Sequence, residues 1–111
     1  MRIARLALAS LAFVMNAAFA QYPAKPVRVI VPFPAGGGVD IVARAVSEKL
    51  SPRLGQSIVV DNRPGAGTTI GTDAAAKSAP DGYTLLIGPI GGQAIVRATY
   101  AKLGFDIQRD F

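Results

Sequence analysis

The chain has 111 residues, a net charge of +5, and no cysteine, histidine or tryptophan. Half of the residues are hydrophobic and only 17% are charged, which excludes a disordered or strongly charged tail. The composition also excludes a Ser-His-Asp triad, a thiol nucleophile, disulfides and metal sites with His or Cys ligands. Because the basic residues are scattered singly among acidic ones, no nucleic-acid partner is predicted.

Residues 1–20 have the features of a cleavable secretory signal peptide. Two arginines precede the apolar run 6–15, and the small-x-small triplet 18–20 ends the segment. The run is well short of the roughly 20 residues that span a bilayer. We therefore predict cleavage before Gln21 and export to the periplasm. Without Arg2 and Arg5, ten basic residues face seven acidic ones, a net charge of +3.

Strand-like and helix-like patterns then alternate three times. The β-branched run 27–31 predicts a strand buried on both faces, and shorter strands are predicted over 57–60 and 83–87. Helices are predicted from about Val39 to a stop at Gly55, over 68–78, and more weakly over 93–103. This order predicts an α/β fold in which a parallel sheet is flanked by helices. The apolar face of the first helix is predicted to carry Val39, Val42, Val46 and Leu50.

A glycine-rich loop follows each predicted strand: loop 1 (residues 33–38), loop 2 (residues 62–68) and loop 3 (residues 88–92). In open α/β sheets, ligands bind beyond the carboxyl ends of the strands, so the three loops are expected to form one site. Unpaired amides at the start of the first helix, together with its dipole, favour an anion such as a carboxylate.

Several polar side chains near these loops each admit two interpretations. Asp40 either caps or electrostatically stabilises its own helix, or it faces the cleft and accepts a hydrogen bond from a ligand, and the two roles are compatible. Thr68 and Thr69 are natural N-caps of the second helix or hydroxyls of the site. Arg63 either clamps a carboxylate in bidentate fashion or is a solvated surface residue.

No motif indicates a nucleotide cofactor or a catalytic residue. The spacing of Gly65, Gly67 and Gly71 misses the dinucleotide fingerprint by one residue, and no Lys-Ser/Thr follows the glycines of loop 1. The acidic residues form no distinctive pair of the glycosidase type. We therefore predict no cofactor, no metal site and no enzymatic activity.

Three motifs in fixed order run through the chain after the signal segment. They are Tyr22-Pro-x-Lys-Pro-Val-Arg-Val-Ile-Val-Pro-Phe-Pro-Ala-Gly-Gly-Gly-x-Asp40, then Asp61-Asn-Arg-Pro-Gly-Ala-Gly67 with Ile70-Gly71, then Ala79-Pro-Asp-Gly-Tyr-Thr-Leu-Leu86. Together they resemble the Bug family, the extracytoplasmic solute receptors of tripartite tricarboxylate transporters. The resemblance implies a periplasmic binding protein of type II style with two α/β lobes. Residues 21–111 would be the N-terminal part of the first lobe, with the second lobe absent.

The resemblance also implies a ligand and partners. The ligand would be a small organic acid (a di- or tricarboxylate, an amino acid or an aromatic acid), delivered to the membrane subunits of the transporter. The residues implied as ligand contacts are Phe33, Pro34, Ala35, Gly36, Gly37, Gly38, Asp40, Gly65, Ala66, Gly67, Thr68, Gly91 and Gly92. Thr68 departs from the family, which commonly has glycine there. An exported α/β enzyme acting on an anionic substrate, and a receptor-derived sensor module, remain alternative functions.

Overall fold

The computed structural model describes residues 21–111, so the predicted signal segment lies outside the described residues. The strands are β1 (Val27–Val31), β2 (Ile58–Asn62) and β3 (Thr84–Leu86). The helices are α1 (Gly38–Leu54), α2 (Thr69–Ala76), which a short 3-10 turn (Ala66–Thr68) precedes, and α3 (Ile90–Thr99). Strands and helices alternate as predicted, and a partial α/β lobe with a parallel sheet is confirmed. Among residues 21–111, no helix is both long enough and apolar enough to cross a membrane.

The strand order β2-β1-β3 determines where the three loops lie. Both neighbouring pairs are parallel, with Val31 opposite Asn62 and Ile30 opposite Leu86. The carboxyl ends of all three strands therefore meet at one edge of the sheet, with loop 1 between loop 2 and loop 3. The chain moves from β1 to β2 and then back past β1 to β3, so the order reverses between β1 and β3. This reversal is the switch point beside which open α/β sheets bind their ligands.

The core is built around the central strand β1. Val27, Val29, Ile30 and Val31 are all buried, which confirms the predicted strand with two covered faces. Val29 and Val31 pack with Ala43 of α1 on one face. Ile30 projects to the opposite face because side chains alternate along a strand, and it has no exposed surface. Since right-handed crossovers in opposite directions place their helices on opposite faces, α2 covers this second face.

The predicted apolar face of α1 is wrong. Its buried residues are Asp40, Ala43 and Ser47, whereas Val42 and Val46 are 57% and 42% exposed. Val39 is half-buried against the core, whereas Leu50, like Val42 and Val46, is exposed. The small Ala43 side chain allows α1 to approach the sheet closely. The buried Ser47 hydroxyl has a hydrogen-bond partner, because it donates to the Ala43 carbonyl at 2.7 Å. Tertiary packing therefore overrides the spacing of the larger apolar residues.

The boundaries of α3 also differ from the prediction. The helix begins at Ile90, so Gly91 and Gly92 lie in its first turn and not in loop 3. It ends at Thr99 because Tyr100 turns into an extended conformation, with φ −109° and ψ 120°. The Tyr100 hydroxyl then packs against Gly67, a long-range contact that the sequence pattern does not contain. By contrast, Gly55 ends α1 in the left-handed conformation, as predicted.

Candidate functional site

Loop 1 presents its backbone to solvent at the centre of the sheet edge. Residues 34–38 are all exposed. Gly36 has a φ of +84°, which favours glycine, and a Cβ at Gly36 or Gly38 would meet no atom within 4 Å. Phe33 does not share this exposure, because its side chain packs inward against the Val29, Val31 and Ala43 cluster. The loop therefore offers peptide groups, and no bulky side chain, to the space in front of it.

The start of α1 leaves backbone amides without acceptors inside the helix. Its first helical hydrogen bond runs from the Ile41 amide to the Gly37 carbonyl at 3.0 Å. The amides of Gly38, Val39 and Asp40 precede that bond and so have no partner within the helix. At the N-cap residue Gly37, no side chain makes a capping hydrogen bond. Three donors at the positive end of a 17-residue helix form an electropositive seat beside loop 1.

Asp40 supports this loop from behind. Its side chain is almost fully buried, and its Oδ2 accepts hydrogen bonds from the Gly36 amide at 2.8 Å and from Arg44 Nε at 2.9 Å. Its Oδ1 accepts a third, from Asn62 Nδ2 at 2.9 Å. The Arg44 guanidinium, followed by the Gly36 amide and the Asn62 amide, lowers the pKa of Asp40 from 3.8 to about 2, against the opposing effect of burial. Asp40 is thus an ionised group turned into the protein.

Asp40 lies in the first turn of α1, where a negative charge stabilises the helix as predicted, but the predicted capping role is wrong. Gly37 occupies the N-cap position, so Asp40 is the third residue of α1 and cannot be its cap. Its bond to the Gly36 amide resembles the backward half of a capping box, reaching one residue further upstream. A role for Asp40 as a direct ligand contact stays a prediction, but its donors all come from the protein itself.

Asn62 is a residue of the site that the sequence analysis missed. Besides Asp40, its Nδ2 donates to the Phe33 carbonyl at 3.1 Å, and its Oδ1 accepts from Arg44 Nη2 at 3.1 Å. The three side chains therefore close a ring that connects loop 1, α1 and the end of β2. A signal was available, because Asn62 directly follows a β-branched strand. The register that places Asn62 opposite Val31, two residues before loop 1, is a tertiary fact.

Loop 2 has an unusual backbone. Four consecutive residues have positive φ: Gly65 (125°), Ala66 (47°), Gly67 (59°) and Thr68 (82°). A Cβ at Gly65 would lie 2.7 Å from Ile70 Cδ1, and one at Gly67 would lie 2.9 Å from the Tyr100 hydroxyl. The positive φ at both positions favours glycine, and a side chain there would also displace the end of the Ile70 or the Tyr100 side chain. Loop 2 follows β2 at the same sheet edge as loop 1, as expected from the parallel sheet.

The predicted capping of α2 by threonine is wrong. Thr68 occupies the N-cap position but makes no side-chain capping bond, and its left-handed conformation differs from the extended one that capping requires. The Thr69 hydroxyl donates backward to the Ala66 carbonyl at 2.8 Å. The tight run of positive φ values turns the Thr68 side chain away from the helix amides.

We predict that Thr68→Gly stabilises the protein by about 1 kcal/mol. Left-handed backbone costs a β-branched residue about 1–3 kcal/mol, and the greater flexibility of glycine in the unfolded chain offsets about 0.5–1 kcal/mol of that gain. The control is Thr69→Gly, where φ is −64°: glycine relieves no strain there, adds backbone freedom to the unfolded chain and removes the hydroxyl bond to the Ala66 carbonyl, so about 1 kcal/mol is lost. Urea unfolding of both variants measures whether each change raises or lowers the free energy of unfolding. Destabilisation by Thr68→Gly would contradict the strain at this position.

Two further residues near the loops, Arg63 and Gly88, have defined neighbours. Arg63 is exposed and its Nε donates to Asp61 at 2.9 Å, which matches the surface interpretation. Gly88 of loop 3 comes close to Pro32 at the end of β1, since a Cβ there would be 3.7 Å from the proline Cγ. Within residues 21–111, no three acidic side chains are grouped so that they could hold a metal ion.

Comparison with known proteins adds independent information. The family model described as "Tripartite tricarboxylate transporter family receptor" matches residues 42–111. BugT of Bordetella pertussis is 61% identical over 66 residues, which are 60% of this chain and 20% of BugT. A UPF0065 protein of Bordetella bronchiseptica is 43% identical over 106 residues, covering 95% of this chain and 32% of that protein. The chain thus spans a fifth to a third of these relatives.

Solved structures show the same relationship. A structure described as a periplasmic transporter superposes with a TM-score of 0.73 at 48% identity, over 77% of this chain and 29% of that one. MatC from Rhodopseudomonas palustris, solved with bound malate, gives a TM-score of 0.75 at 39% identity, over 81% and 31%. An R. palustris protein with adipate gives 0.67 at 39% identity, over 77% and 28%. The chain belongs to the Bug family of receptors of tripartite tricarboxylate transporters.

Proposed function

We propose that this chain forms one wall of a periplasmic receptor that binds the carboxylate group of a small organic acid. The observation that carries the proposal is the seat at loop 1, where the amides of Gly38, Val39 and Asp40 lack helical acceptors next to exposed glycine backbone. Hydrogen bonds from backbone amides to an ionised acceptor are among the stronger ones in proteins. The site binds and releases its ligand without catalysing a reaction.

The ligand class follows from the chemistry of the seat together with the relatives. One related structure holds malate and another holds adipate, and both are dicarboxylates. A second carboxylate would extend away from loop 1 towards a wall that these residues do not form. Di- and tricarboxylates therefore fit best, while amino acids and aromatic acids share the one carboxylate that the seat recognises.

The backbone of loop 1 is the primary contact in this proposal, and Phe33 and Asp40 hold it from the core side. Loop 2 contributes the exposed peptide groups of residues 65–67, and Thr68 borders them. Gly91 and Gly92 contribute the first turn of α3 on the other flank. Delivery of the acid would proceed as the family resemblance implies. Residues 1–20 direct export, and the second lobe closes over the acid. The membrane subunits then recognise the closed form.

The test is ligand-dependent thermal stabilisation, by malate and by adipate, of the purified receptor with both of its lobes. Binding to the folded state adds about 2.7 kcal/mol of stability at a ligand concentration 100 times Kd. Malamide, which has the size of malate without its charges, is the matched control and is expected to give no shift. If neither acid nor a wider panel of organic acids raises the melting temperature, the proposed function is wrong.

A substitution can remove one amide of the seat without disturbing the fold. Gly38 is the first residue of α1, a position that tolerates proline, and the preceding Gly37 already has the extended conformation that proline favours, with φ −74° and ψ 166°. We predict that Gly38→Pro abolishes the stabilisation by malate. Gly38→Ala keeps the amide and measures the effect of an added Cβ alone. Equal stabilisation of the two variants would show that this amide does not bind the acid.

A further inference from the structure

We propose that Arg44 and Asn62 are positioning residues of the receptor, holding loop 1 through Asp40 in the conformation that turns its free amides outward. The inference rests on the proposed function for the identity of the ligand. The positioning itself is a property of the protein without ligand. Neither side chain contacts the seat in this proposal; both act on the backbone that forms it.

Two hydrogen bonds hold loop 1, one at its first residue and one in its interior. Asn62 Nδ2 holds the Phe33 carbonyl at the first residue of the loop, and Asp40 Oδ2 holds the Gly36 amide three residues later. The bond from the Gly37 amide to the Pro34 carbonyl, inside the loop, is long at 3.3 Å. A loop with three successive glycines has many accessible conformations, so these two attachments restrict it most.

Arg44 ties the two attachments together. Its Nε donates to Asp40 Oδ2 at 2.9 Å, while its Nη2 donates to Asn62 Oδ1 at 3.1 Å. The planar guanidinium presents these donors in a fixed relative orientation, which an ammonium group cannot reproduce. The Arg44 side chain is 55% exposed, so packing in the core does not explain why it lies beside Asp40. Its place in the ring is explained by the geometry of loop 1.

Arg44 also neutralises a charge that would oppose the ligand. Asp40 is ionised and lies in the first turn of α1, beside the amides that are proposed to receive an anion. An uncompensated carboxylate at this place would repel the acid. The guanidinium cancels that charge and leaves the helix dipole and the free amides as the local field.

The test compares Arg44→Gln with Arg53→Gln, an identical change at the far end of the same helix. In ¹⁵N-labelled protein without ligand, we expect the Gly36 amide of Arg44→Gln to exchange with solvent at least tenfold faster than in the wild type. The Gly38 and Val39 resonances are expected to shift with it. Malate is then titrated into each protein, and Arg44→Gln is expected to bind it at least tenfold more weakly. Arg53→Gln is expected to match the wild type in both measurements.

Two further variants separate geometry from charge and from folding. Arg44→Lys keeps the charge but loses the planar arrangement of donors that spans Asp40 and Asn62, so Gly36 exchange is expected to stay fast. Full recovery of malate affinity in this variant would overturn the positioning role. Asn62→Ala removes the hydrogen bond to the Phe33 carbonyl while Arg44 remains. It is also expected to speed the exchange of the Gly36 amide with solvent. Unchanged Gly36 exchange in folded Arg44→Gln overturns the proposal. If the wild type binds no acid, the proposed function fails, and the exchange data alone decide the positioning role.

Discussion

Replacing Gly71 by alanine is expected to lower the free energy of unfolding by about 3 kcal/mol, the upper end of the range for overpacking a core. Gly71 is buried in α2 where the helix crosses the end of β1. A Cβ at this position would lie 2.7 Å from the Arg63 carbonyl oxygen and 2.7 Å from Pro32 Cβ, with Pro32 Cα at 2.9 Å. Because two of these atoms belong to the backbone, no change of rotamer can relieve the contact.

The measurement is chemical unfolding of Gly71→Ala next to Gly38→Ala. Both changes add one Cβ to a helical glycine, but the Cβ at Gly38 meets no atom within 4 Å. Gly38→Ala is therefore expected to be neutral or slightly stabilising, since alanine is the better helix former. A domain of this size loses about 4–8 °C in melting temperature for each kcal/mol. If Gly71→Ala melts like Gly38→Ala, the close approach of α2 to the end of β1 is wrong.

The second large expected effect is a loss of folding stability at low pH, caused by protonation of Asp40. The folded protein holds the pKa of Asp40 at about 2, below its ordinary value of 3.8, so the folded state binds this proton less readily than the unfolded chain. The stabilisation is complete above about pH 4 and is lost as the pH falls through the folded pKa of about 2. Stability is therefore expected to fall steeply between these values, as loop 1 loses its ionised acceptor.

Urea unfolding at a series of pH values tests this expectation. Asp40→Asn is expected to be less stable than the wild type at pH 7, because an amide replaces the ionised acceptor of Gly36 and Arg44. The same variant should show a shallower loss of stability towards pH 2. Glu48→Gln, an exposed change on the same helix, serves as the control and should retain the slope of the wild type. An equally steep loss in Asp40→Asn would assign the acid sensitivity to other carboxylates.

Local sequence patterns sufficed for the strands and for the glycine-rich loop that follows each of them. The β-branched run of β1, the stop at Gly55 and the glycines after each strand depend on short-range sterics, which operate in any context. They failed where a contact distant in sequence decides the outcome. The larger apolar residues of α1 indicated a face that the small Ala43 and the hydrogen-bonded Ser47 occupy instead. The sequence also did not indicate that α3 ends at Thr99, where Tyr100 leaves the helix and lies close to Gly67.

By itself, the sequence determined that strands and helices alternate, that the strands lie in parallel, and that glycine backbone follows each of them. Only the tertiary structure decided which strands are neighbours, and hence that loop 1 lies at the centre of the sheet edge, with Asn62 opposite the last residue of β1. The ring of Asp40, Arg44 and Asn62 followed from that decision. The physical reason is that backbone conformation is set by neighbours in sequence, whereas hydrogen bonds between distant side chains depend on strand order and register.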